Sequence, residues 1–297
     1  MEKRSFKERL KNEYMGQGFA YVCGMLIILI TLSIIIFIAS KGIKLFTQDG
    51  YSIGQFLFKN DWKPNQGDEP SFGALAFILG STLVSVGAVI ISAPIAVSLA
   101  IFVNVISKKV GLKIIKPALE ILVGIPSVVY GWVGISVLVP VIKNSFGGMG
   151  FSLLAGILVL SLMILPTIAT LSIDAIKTIP QDHIEASYGL GATRWQTIYR
   201  VIVPGAKSGI LTGVVLGIAR AFGEALAVQM VIGNTVKIPD SILSSMATLT
   251  SILTMDMANT VEGTAWNDAL WTLALILLII SFIFIVLVRM IERRGDR

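Results

Sequence analysis

The chain has one cysteine, one histidine and few charges: Asp, Glu, Lys and Arg together make up 14% of 297 residues. A lone Cys23 in an apolar run excludes an intrachain disulfide and a cysteine metal site, and reads as a small buried hydrophobe. His183 has no neighbouring set of ligands, so a solvated or docking-surface side chain is expected rather than a metal or acid–base role. Paired histidines, a nucleophile elbow and a metal set are all missing, which argues against an intramembrane enzyme.

Apolar residues are abundant in their place. They account for 55% of the chain, and the mean hydropathy is +0.82, outside what a water-facing globule tolerates. Stretches of about 20 apolar residues, enough to cross roughly 30 Å of hydrocarbon, predict an all-α membrane protein. Six spans are expected, at 20–40, 72–103, 117–142, 151–173, 209–232 and 269–289. The first is too long for the apolar region of a signal peptide and no clean cleavage site follows it, so it is expected to be retained. The second is long enough to tilt or to break near Pro94, and Pro126 with Gly124, Gly131 and Gly134 interrupts the third.

The net charge of +6 does not mark a nucleic-acid binder, because the basic residues sit in short loops and at both ends, beside apolar runs. Five precede the first span, four lie in 104–116, four in 174–208 and four in 289–297, whereas the opposite loops hold six in all. The positive-inside rule then places both termini in the cytoplasm. Two outer loops are long. One, 41–71, carries Trp62, Pro64, Asp68 and Glu69; the other, 233–268, has Ile242, Met246, Leu249 and Leu253 at helical spacing and predicts an amphipathic helix at the interface or against a partner.

Between the fourth and fifth spans, Pro180 suits a first helical turn, Gly189 and Gly191 end that helix, and Thr193 can cap a second helix running to Pro204. This helix, glycine corner and helix resembles the EAA loop of ABC importer permeases. Glu185, Ala186 and Ser187 are followed at the family's spacing by Gly191 and by Val201-Ile-Val203-Pro204. Ser187 stands for the second Ala of that pattern, Val201 for an Ile and Val203 for a Leu. The resemblance implies a coupling loop that enters a groove of a separate ATPase subunit, with Glu185 as polar anchor and Gly191 as corner. ATP is expected to be used by that partner and no cofactor to be held by this chain: Lys207 and Ser208 imitate the end of a phosphate-cradling loop, but Val201 and Ala206 fill its glycine positions.

Arg220 and Glu224 fall near the middle of the fifth span, where an unpaired charge costs on the order of 2.5–3.5 kcal/mol. Four residues apart, they are expected to share a helix face, to pair, and to line a solute pathway. A guanidinium suits an oxyanion, being always charged and offering several donors in one plane. Glu120 and Asp174, at span ends, are weaker candidates and are expected to be wetted by the interface.

The string from Gly217 to Asn234 is similar to the fifth-span signature of phosphate-specific (Pst-type) permeases, more closely the C-type than the A-type subunit, and Gly124-Ile-Pro-Ser-Val-Val-Tyr-Gly131 resembles that family's third span. The resemblance implies the type I ABC importer permease fold, phosphate as substrate, an A-type partner permease, an ATPase dimer, an extracytoplasmic phosphate-binding protein and a bacterial cytoplasmic membrane. It also marks Arg220 and Glu224 as important for transport. The organisation expected is a cytoplasmic segment 1–19, a first span with its outer loop 20–71, a permease core 72–289 carrying the coupling loop 174–208, and a cytoplasmic tail 290–297. A permease for sulfate or molybdate, a secondary transporter and a scaffold subunit without a pathway remain as alternatives.

Overall fold

The computed structural model describes residues 15–64 and 70–295. The basic residues before the first span, and Asp68 and Glu69, lie outside the described residues. The described chain is a bundle of long apolar helices with a small cap at one end.

Helix α1 (Met15–Gly42) is apolar on every side and exposed along nearly all its length. It meets the bundle chiefly along α13 (Ala265–Gly295), where Phe37 stacks edge-on against Trp271 at 5.4 Å between centroids. So much exposed Ile, Leu and Phe has no aqueous explanation; lipid is the solvent that such a surface requires.

After a short helix α2 (Ile53–Phe58), strands β1 (Trp62–Lys63) and β2 (Ser71–Phe72) pair antiparallel, with Trp62 opposite Phe72. Trp62, Phe72 and Phe77 stack edge to face, and together with Leu45 and Phe56 they form the core of the cap. Such pairs add about 0.5–1.5 kcal/mol each beyond the area they bury.

The centre of the bundle is α3 (Leu75–Ile101) against α7 (Leu153–Lys177), the most extensive helix pairing in the chain. Pro94 does not break α3. Packing along both turns around it holds the helix through the missing rung. The predicted break at Pro126 is present, and it displaces the third span. Ile125 takes the extended backbone that a following proline imposes, so α4 (Lys116–Gly124) ends there. The crossing segment is Ser127–Phe146, made of α5 (Ser127–Val133), a π-turn and α6 (Val139–Phe146).

Helices Gly16–Thr47, Leu75–Ile106, Leu153–Lys177 and Ala265–Ile291 are long and apolar enough to span, in agreement with the first, second, fourth and sixth predicted spans. The fifth differs: the predicted 209–232 divides into α10 (Lys207–Gly223) and α11 (Leu226–Ile232). Leading into α10, the segment Arg194–Gly205 is bent from it by 66°.

The segment after α11, expected to be an outer loop, folds back into the protein. Gly233 bridges to Met246, and the helix there, α12 (Leu249–Asp256), buries Leu249 and Ile252 against the chain's own core. Ile242 and Met246 lie ahead of this helix, so the predicted amphipathic stripe is half right in position, and its apolar side faces inward. Leu249 N donates to Ser81 Oγ at 2.8 Å, seating the re-entrant helix on α3.

Candidate functional site

Gly223 ends α10 and Glu224 is extended, at φ −79° and ψ 122°. That break separates the two residues the sequence placed together. On an unbroken helix Glu224 would lie one turn above Arg220; extended, its side chain leaves that face. Arg220, partly buried on α10, donates from Nη1 to Thr167 Oγ1 at 2.9 Å across to α7. Glu224 is only 9% exposed, and its Oε1 accepts Ala227 N at 3.0 Å in the first turn of α11. The ion pairs among the described residues are Lys41 with Glu262 and Lys237 with Asp240, so the expected Arg220–Glu224 pair is replaced by two separate hydrogen bonds.

Each side of the break has its own support. Behind Glu224 lies a cavity of about 10 Å³ bordered by Ser81, Ser85, Thr248 and Thr250. Thr250 Oγ1 also donates to the Glu224 carbonyl at 2.9 Å, fixing the extended residue to α12. Farther along α11, Gln229 Oε1 accepts from Thr254 Oγ1 at 2.8 Å. On the α5 side, Tyr130 Oη donates to the Leu122 carbonyl at 2.8 Å and closes over the Pro126 break. Gly131 lets α5 approach α11 closely, since a Cβ there would stand 2.6 Å from Met230 Sδ and 3.1 Å from Ala227 Cα.

The chemistry follows from this arrangement. With a hydroxyl rather than a carboxylate as its hydrogen-bond partner, the guanidinium has no ion-pair partner among the described residues, in a segment of low dielectric. One of its five N–H donors is used by Thr167. Thr167, Tyr130 and Thr250 were not singled out from the sequence. For Thr167 the only available signal was a hydroxyl next to Pro166 inside an apolar span.

The second predicted site is a knob at the end of the bundle. Helix α8 (Gln181–Gly189) has Pro180 as its N-cap, one residue ahead of its first turn, and carries Glu185, Ala186 and Ser187 with no residue fully buried. Gly191, at φ +79°, makes the corner that a side chain would strain. Thr193 and Gln196 form a reciprocal capping box on α9 (Arg194–Thr197), and a π-turn and a further helical turn carry the chain past Pro204 to Gly205. Ser187, where the resemblance expects alanine, shares a hydrogen bond of 3.0 Å with Thr197 and ties α8 to α9. Leu190 is 90% exposed and Trp195 64%, while Thr197, Ile198 and Ile202 are buried in the main core. The knob thus presents an apolar tip on a fixed base. Glu185 and His183 are exposed on α8, and Glu120 and Asp174 are exposed on α4 and α7; none of the four joins the Arg220 site.

Residues 92–297 match the family described as binding-protein-dependent transport system inner membrane component. The chain is 46% identical to the probable ABC transporter permease protein YqgH of Bacillus subtilis, over 98% of this chain and 94% of that protein. It is 32% identical to the phosphate transport system permease protein PstC of Pasteurella multocida, over 85% of this chain and 82% of that one. In fold it is similar to a chain of a bacterial alginate ABC transporter, with a TM-score of 0.66 at 13% identity, covering 98% of each.

Proposed function

The chain belongs to the binding-protein-dependent transport system inner membrane components, as a multi-span permease of an ABC importer of phosphate type, and from that premise we propose that Arg220 is the residue past which the anion crosses. The observation that carries this reading is the Arg220–Thr167 bond at a break in the fifth span. A charge costing a few kcal/mol at that depth is kept without a carboxylate to neutralise it. Transport gives it a use.

Phosphate, an oxyanion, accepts planar donors well. Thr167 orients the guanidinium, and Glu224 acts from behind, holding the start of α11 so that the break keeps its shape. An anion so held is bound by one fixed charge and is released as the surrounding helices move. Glu224 therefore belongs to the site as a positioning residue.

Alternating access supplies the movement. ATP is bound and hydrolysed by a separate ATPase dimer, whose grooves receive the knob formed by Glu185, Ala186, Ser187 and Gly191. No cofactor is assigned to this chain. The knob faces the cytoplasm together with both termini, an orientation supported by the distribution of Lys and Arg. A homologous A-type permease completes the pathway, and an extracytoplasmic phosphate-binding protein delivers the anion to the opposite face.

Phosphate uptake by proteoliposomes holding the assembled complex tests the role of Arg220. Arg220→Met is expected to abolish uptake with assembly intact, and Arg220→Lys to retain part of it. Full uptake by an assembled Arg220→Met complex would make this chain a scaffold at that position.

A further inference from the structure

Movement of the coupling loop has to reach the spans by some contact, and α8 itself, with nothing fully buried, makes a poor lever. The chain connection at Ala206 is one route, into α10. A second is built from side chains. Helix α3 continues as a π-turn (Phe102–Ile106) and stops at Ser107, whose φ of −142° and ψ of 82° end the ladder. Its last carbonyls then have no helical N–H ahead of them. The Arg194 guanidinium, in the first turn of α9, donates from Nη2 to the carbonyls of both Val105 and Ile106, the latter at 3.1 Å. Beside it, Asn104 Nδ2 donates to Ala100 O at 3.1 Å and to Ile173 O at 3.0 Å, fastening the same π-turn to α7.

We propose that Arg194 is a positioning residue that makes the end of α3 move as one body with the coupling loop. The two N–H groups of one guanidinium nitrogen can take two neighbouring carbonyls at a helix C-terminus, where positive charge is also favoured. From Phe102 back to Ser81, α3 spans about 32 Å at 1.5 Å per residue. Ser81 is the residue on which α12 is seated, and α12 holds the Glu224 carbonyl through Thr250. One rigid helix therefore joins the loop to the break beside Arg220. The inference rests on reading residues 181–205 as the coupling loop.

The test uses the complete complex in nanodiscs and proteoliposomes. Arg194→Met is expected to leave the ATPase bound and hydrolysing ATP at a rate within about twofold, while phosphate moved per ATP falls about tenfold, within the usual range of coupling between sites. Arg194→Lys, which keeps the charge but not the planar geometry and reach of the guanidinium, is expected to fall between. Unchanged phosphate per ATP would overturn the proposal, and so would loss of the ATPase, which would place Arg194 in the docking surface. A measurement on the native arginine covers a variant that fails to assemble. Spin labels at Asp182 and Lys108, with Cys23 replaced by Ser, should keep their separation within about 2 Å between nucleotide-free and vanadate-trapped states, and a change above about 5 Å would overturn the strut. If the unmodified complex shows no ATP-driven uptake, the functional reading fails instead.

Discussion

Replacing Glu224 separates shape from charge at the break in the fifth span. Its Oε1 accepts a buried backbone N–H in the first turn of α11, so Glu224→Ala leaves the Ala227 N–H without its acceptor. A buried donor left so costs about 1–3 kcal/mol. The adjoining cavity of about 10 Å³ is at the lower limit for holding a water. Losing the side chain enlarges it, and a water that enters brings the cost toward the middle of that range, about 2 kcal/mol. At roughly 2–4 °C per kcal/mol, the apparent midpoint of the purified complex should fall by about 4–8 °C. Glu224→Gln keeps an acceptor in place and should lose under about 1 kcal/mol, with uptake within about threefold of wild type. Because Arg220 bonds Thr167 instead of Glu224, Arg220→Met and Glu224→Gln should combine additively to within about 0.5 kcal/mol in thermal midpoints. Glutamine as harmful as alanine, together with a coupling above about 1 kcal/mol, would show that the carboxylate charge serves Arg220 and would refute this reasoning.

Thr167→Val removes the hydroxyl that orients Arg220 at nearly constant volume; a hydrogen bond to a charged group is worth about 1.5–3 kcal/mol, so phosphate uptake should drop roughly 10- to 100-fold with assembly retained. Gly191→Val forces a β-branched residue into φ +79°, at about 1–3 kcal/mol, and less ATPase subunit should copurify. Beside the cap, Lys41 holds the Glu262 carboxyl below its ordinary range, by its hydrogen bond first and its charge second. That contribution is present at neutral pH and is lost as pH falls through the lowered value, so the midpoint difference between wild type and Glu262→Gln should vanish in acid. Asp49 has the opposite shift, raised by burial and then by Asp268, so Asp49→Asn should raise the midpoint at neutral pH and have no effect once the carboxyl is protonated.

Four of the spans were legible because a bilayer leaves few choices: about 20 apolar residues must form a helix that satisfies its own backbone. The helix, glycine corner and helix of residues 181–205 were legible for a local reason. Gly191 and the Thr193 cap each act within a few residues and do what their chemistry predicts, while Pro180 sits one residue ahead of the turn expected for it, as the N-cap. The Arg220–Glu224 pairing failed because spacing of four implies a shared face only on a continuous helix. Gly223 was free to end the helix, and Glu224 is then held by a local bond from Ala227 N–H, three residues on, and by a tertiary bond from Thr250 that the spacing does not register. The helix expected around residues 242–253 missed for a related reason. Gly233 and Met246 pair across the turn, so the helix starts only at the Thr248 cap. Ser187 shows the reverse case, a departure from the family pattern whose hydroxyl has a use that only the fold reveals.

The most direct measurement is phosphate accumulation by purified complexes in proteoliposomes, with and without the ATPase subunit and ATP, for wild type and Glu185→Arg. Accumulation is expected only with both present, and is expected to be lost in the variant through detachment or uncoupling of the ATPase. Accumulation at the same rate without any ATPase would contradict this reading.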